Sequence, residues 1–183
     1  AYDAIKANDA DATVVFGGLV SGQPVQYLQA VKDELGELPV DAIGIHPYGK
    51  QPGNDNGIVP FLRNVRDAFP GFPIWITELG VNHIIPETYN TVEWYMRQID
   101  RALRDSLPSD VPVLIWYCWS DGMNPHFGIT DGNREPKGVV YNTFGNLARS
   151  SQPNVQPEEG LPGPAEHPQP GAGEFTHQML INA

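Results

Sequence analysis

The stretch Pro73 to Gly80, PIWITELG, decides how the chain is read. Isoleucine, tryptophan and threonine dominate it, the residue types that suit a pleated and buried strand. Yet the run closes on a glutamate, Glu78, followed by Leu79 and Gly80. A carboxylate at the end of an apolar strand costs several kcal/mol, on the order of the penalty for burying an unpaired ion, unless donors or water reach it. Packing alone gives no reason to keep it there.

Three further runs share the form of this one. They are ATVVFGGL (Ala12 to Leu19), PVDAIGIHPYG (Pro39 to Gly49) and VPVLIWYCW (Val111 to Trp119). With Phe72 to Gly80 they read as four strands buried on both faces. Between them apolar residues recur at helical spacing: Val25, Leu28, Val31 and Leu35; then Ile58, Phe61, Leu62, Val65 and Phe69; then Val92, Tyr95, Met96, Ile99, Leu103 and Leu107. A further helix starts near Lys137 and carries Val139, Val140, Phe144 and Leu147. Ahead of the first strand, Ala1, Tyr2, Ala4, Ile5 and Ala7 are spaced as the buried face of a leading helix. The repeat is βα, about 30 residues long, which is the period of a (β/α)8 barrel. A doubly wound open sheet has the same alternation. Its dinucleotide-binding form wants G-x-G-x-x-G after the first strand, and GGLVSG (Gly17 to Gly22) does not match. The glycine pair reads instead as a strand-to-loop turn.

Composition bounds the chemistry. The chain has 183 residues, 40% of them hydrophobic, which suits one globular domain with a sizeable core. A formal charge of -11 repels phosphate backbones and anionic lipid headgroups, so neither nucleic acid nor a membrane surface is expected as a partner. Cys118 is the only cysteine, which excludes an internal disulfide and a cysteine-based metal cluster. The five histidines show no H-E-x-x-H or comparable spacing, and neither a metal nor a cofactor is indicated. From Ser150 to Gly173 the sequence turns rich in Pro, Gly and Gln, a linker composition. Apolar character returns in 174–183, read as a tail or the start of a further module. The helix that begins without a capping residue and this closing segment together predict a fragment of a longer polypeptide.

The ends of the four strands gather Gly17 and Gly18, His46 to Tyr48, Thr77 and Glu78, and Trp119 to Asp121. In parallel βα folds those ends share one face, and that face carries the chemistry. Here VDAIGIHPYG, PIWITELG and LIWYCWSDG resemble strands six, seven and eight of the retaining glycoside hydrolases of clan A, the (β/α)8 group with cellulase-like and β-xylosidase-like members. AYDAIKANDADATVVFGGL similarly resembles the helix after strand four followed by strand five. The resemblance covers Ala1 to Arg149 and implies the C-terminal half of such a barrel in residues 1–149. It implies Glu78 as the catalytic nucleophile, with His46, Tyr48, Trp119 and Asp121 around the sugar and Tyr48 bonded to the nucleophile. It further implies a carbohydrate substrate, polysaccharide degradation and a secreted enzyme. The clan's acid/base glutamate follows an asparagine at the end of strand four, and no Asn-Glu pair occurs in this chain.

Elementary chemistry fits the same roles. Retaining hydrolysis uses one carboxylate to attack the anomeric carbon and a second carboxyl group, about 5 Å away, to protonate the leaving oxygen. Donors such as Tyr48 would keep the nucleophile ionised beside its partner. Plainer readings stand beside these. Glu78 could bridge to a basic loop residue, His46 could satisfy backbone groups, and Asp121 could cap its loop. Trp116 reads as core, and Trp75, in mid-strand, reads either as core or as a face for a pyranose ring. Asn82, His83, Asn124 and His126 read as loop residues, Glu135 as the start of the last helix, and Glu34, Glu37, Glu87 and Glu93 as solvated helix positions. Two other functions compete with the enzyme: a carbohydrate-binding module without catalysis, and a half-barrel that self-associates to complete eight strands.

Overall fold

A computed structural model describes residues 1–20, 22–52, 57–82, 89–150 and 178–181. The elements run α1 (Tyr2–Asn8), β1 (Val15–Val20), α2 (Pro24–Leu35), β2 (Ala42–His46), α3 (Ile58–Ala68), β3 (Ile74–Leu79), α4 (Tyr89–Ser106), β4 (Val113–Trp116), α5 (Gly138–Ser150) and β5 (Gln178–Ile181). Local chemistry accounts for their ends. Pro24 opens α2, where its missing N–H and fixed φ cost nothing, and Gly36 closes it in the left-handed conformation, φ 81°. In α4 the acidic residue precedes the basic one in the pairs Glu93–Arg97 and Asp100–Arg104, the favourable order for ion pairs one turn apart.

All neighbouring strands are parallel, and their order is β1-β2-β3-β4-β5. A doubly wound sheet reverses its strand order at a switch point; this one never does. Each crossover steps the same way, as in a barrel wall, so the rival architecture is excluded for this sheet. Ile43, Ile45, Ile74, Ile76, Leu114 and Trp116 enter one core with apolar residues from α2 to α5. The tight turns of helix on strand are thus held by one continuous apolar layer, the dominant favourable term in folding.

Four expectations need correction. Burial on both faces holds for β2, but β3 alternates, with Ile74 and Ile76 buried and Trp75 and Thr77 only partly so. Successive side chains point to opposite faces, and the helices cover only one of them. The leading helix α1 has no buried residue, and Ile5 is 41% exposed. Polar contacts tether it instead: the Tyr2 hydroxyl donates to Asp41 Oδ1 at 2.9 Å and Lys6 Nζ lies 2.8 Å from Asp41 Oδ2. Glu135 precedes α5 by three residues, in a loop where its N–H donates to Asp131 Oδ1. Finally, the sheet has a fifth strand: Gln178 to Ile181, within the segment read as a tail or module start, pair with Val113 to Trp116. A parallel edge presents unpaired N–H and C=O groups, which a short apolar segment satisfies.

Ile76, fully buried in the central strand, sets a test of this core. Ile76→Ala should cost about 2–5 kcal/mol in urea unfolding, whereas Ile5→Ala should stay within about 0.5 kcal/mol.

Candidate active site

Two register shifts shape the ends of the strands. Pairing of β3 with β4 shifts between Ile76 and Leu79, and pairing of β1 with β2 shifts between Phe16 and Leu19. Such irregularities break strict alternation and re-aim the side chains beside them. Glu78 lies inside the first shift. Its side chain keeps 30% of its surface, which relieves much of the cost of placing a carboxylate at an apolar strand end.

Glu78 meets two of its expected neighbours. The Tyr48 hydroxyl donates to Glu78 Oε2 at 3.2 Å, and His46 Nδ1 stands 3.5 Å from the same oxygen. His46 closes β2 and Tyr48 follows in the next turn, so the β2–β3 pairing delivers both to one point. Their rings meet edge to face, with centroids 6.4 Å apart. Burial pushes the Tyr48 phenol well above its usual range, and the charge of Glu78 and their hydrogen bond push it further. The phenol therefore remains a donor to the carboxylate at every ordinary pH.

The other two expected residues have partners of their own after β4. Trp119 packs its ring on Tyr141 of α5, with centroids 6.1 Å apart, and against the core. Asp121 takes Lys137 Nζ on Oδ2 at 2.5 Å and the Gly128 N–H on Oδ1 at 2.9 Å. With Lys137 almost fully buried, this pair fixes the loop between β4 and α5, the plainer of the two readings of Asp121. Asn124 donates to the Tyr117 hydroxyl at 3.3 Å, and His126 is exposed with φ 71°. His83 and Glu87 lie outside the described residues.

Tyr117 is the residue the sequence reading missed. Its N–H donates to Leu79 O at 2.9 Å, its ring packs on Phe127, and its phenol adds to the upward push on Tyr48. A Cβ at Gly80 would collide with the Tyr117 carbonyl, so the glycine after Glu78-Leu79 is what lets β4 come this close. Among the described residues no group of three His, Cys, Asp or Glu could hold a metal ion.

The contact between Tyr48 and Glu78 can be read by phenolate absorbance. Near pH 10, where a free tyrosine is half ionised, the difference between the wild type and Tyr48→Phe should show a phenol still protonated. Tyr95, which burial pushes up to about 12, cancels in that difference. Glu78→Gln should lower the Tyr48 midpoint, because it removes the charge while burial stays. Since the folded value is raised, the stability tied to Tyr48 is intact below pH 10 and is lost as pH rises through the folded midpoint. An unchanged midpoint in Glu78→Gln would disprove the pairing.

The fold has counterparts among solved structures. BpGH50 is 15% identical, with a TM-score of 0.61, and the match covers 78% of this chain and 32% of that one. A GH2 β-galacturonidase from Eisenbergiella tayi is 17% identical at a TM-score of 0.55, covering 85% of this chain and 30% of the other. A GH128 exo-β-1,3-glucanase from Aureobasidium namibiae is 14% identical at 0.55, covering 76% and 55%. The chain thus spans between about a third and about half of the structures it is similar to. No curated protein matches its sequence. The sequence pattern of the glycosyl hydrolase catalytic core matches residues 10–132, which takes in β1 to β4 and the Glu78 site, and the chain belongs to that family.

Proposed function

We propose that Glu78 is the nucleophile of a retaining β-glycosidase, and that β1 to β4 correspond to strands five to eight of its barrel. The observation that carries this is the shared contact of Tyr48 and His46 with Glu78 Oε2, on a strand end that remains accessible. A carboxylate so held has one oxygen oriented by a donor and is poised to add to an anomeric carbon. Attack gives a glycosyl ester while the bond to the leaving oxygen breaks, and water then releases the sugar. Tyr48, kept protonated, stabilises the carboxylate before attack and again as the ester leaves.

The second carboxyl group is assigned outside this sequence. Asp121 is committed to Lys137 and the Gly128 N–H, and so is a poor candidate for it. In this reading the chain is the nucleophile-bearing half of the catalytic unit and turns over weakly without the remainder. A β-linked polysaccharide or glycoside is the substrate class, supported by the family and by the β-glycosidic names of two of the similar structures. A secreted, polysaccharide-degrading enzyme fits the same reading, supported by the family resemblance and by the linker composition of 150–173.

In the complete barrel, Glu78→Gln should lower kcat on the order of 10⁴-fold or more, as removal of a covalent nucleophile does, with circular dichroism and Tm little changed. Retained turnover removes Glu78 from the mechanism. The commitment of Asp121 also favours a second reading, a carbohydrate-binding module without catalysis. Glycan binding by the complete protein with no turnover, unchanged in Glu78→Gln, would select it.

A further inference from the structure

The glycine pair in VVFGGL was expected to turn the chain out of β1, but both residues lie within the strand. Neither has a positive φ, so no left-handed backbone demands glycine there. They coincide with the break in pairing between Phe16 and Leu19. The two positions differ in one respect: a Cβ at Gly17 would meet nothing within 4 Å, whereas one at Gly18 would overlap the imidazole of His46 at Nε2, Cε1 and Cδ2. The ring thus lies across the bare backbone of Gly18, with Nδ1 turned to Glu78 Oε2 at 3.5 Å. Tyr48 stands edge-on to the ring, 6.4 Å between centroids.

We propose that Gly18 is a positioning residue: the missing side chain in the β1 irregularity makes the slot that aims His46 at the nucleophile. This rests on the reading of Glu78 as nucleophile only for its effect on the reaction, not for its geometry. A methyl group at position 18 has to displace the imidazole, since three ring atoms occupy its volume. At position 17 the same methyl group meets open space and only restricts the unfolded chain, which is neutral or stabilising. The adjacent glycines should therefore respond in opposite ways.

The test uses the full chain as wild type, Gly17→Ala, Gly18→Ala, His46→Ala and the double variant Gly18→Ala/His46→Ala. Histidine NMR should show the His46 ring signals moved in Gly18→Ala and unmoved in Gly17→Ala. Gly18→Ala should lower Tm in the parent and lower it no further in the His46→Ala background, because the obstacle is gone. If Gly18→Ala does not fold, restored folding in the double variant supports the slot, and failure there overturns it. Unmoved His46 signals in a folded Gly18→Ala overturn it equally.

The reaction arm uses the complete barrel carrying the same substitutions, with a dinitrophenyl deoxyfluoro-β-glucoside and its β-xyloside counterpart. The Glu78 carboxylate forms the bond to the anomeric carbon as dinitrophenolate leaves with its electron pair, so no proton donor is needed. Trapping should slow by about ten- to a hundredfold in Gly18→Ala, the scale of a misplacement near 1 Å, and stay unchanged in Gly17→Ala. If neither probe labels the wild type, the nucleophile reading fails while the NMR arm still decides the slot. Normal trapping in Gly18→Ala with displaced His46 signals would show that the aim of His46 does not matter to the attack, and would overturn the positioning role.

Discussion

β2 and β3 run in the same direction with Ile43 opposite Ile74 and Ile45 opposite Ile76. That register sets everything at the site, because it fixes how far His46, one residue past Ile45, stands from Glu78, two past Ile76. Parallel pairing is held by backbone hydrogen bonds, but its register is held by side chains. All four isoleucines are fully buried in the helix-facing core. A slip of either strand by one residue would turn its two isoleucines to the opposite face and part His46 from Glu78. Apolar packing on one side of the sheet is therefore what aligns the polar groups at its end.

The polar groups are managed by partial exposure and pairing. Glu78 keeps access to solvent and a phenol donor, which together keep an ionised carboxylate affordable at a strand end. Asp121 and Lys137 solve a similar problem by pairing with one another in the loop after β4. The two acidic residues, each at or just beyond a strand end, thus have different employment: one is left approachable and the other is consumed in holding a loop. Tyr48 links the two halves of this logic, since its burial is also what keeps it protonated beside Glu78.

Much of this was legible in the sequence. Strand and helix positions from β1 to α5 follow from β-branched runs and helical spacing, and the contact of Tyr48 with Glu78 follows from the adjacent strand ends. What was not legible depended on register. The glycine pair looks like a turn in one dimension, and only the pairing with β2 shows that it faces an imidazole. Tyr117 and Trp119 both follow β4, and nothing local says that one ring packs on Phe127 and the other on Tyr141. The burial of α1 was overestimated because small apolar residues at helical spacing say where a face lies and not whether anything covers it. The fifth strand escaped notice because four residues beyond a linker carry too little periodicity to be seen.

The irregularity at Gly17 and Gly18 has a second effect. Among the described residues β1 is the last strand on its side of the sheet, and outer backbone groups of such a strand can template strand addition by another polypeptide. Glycine lowers strand propensity and a local break in pairing bends the ribbon away from a flat, recruitable line. The irregularity whose Gly18 leaves room for an imidazole thereby makes this border a poorer template for strand addition.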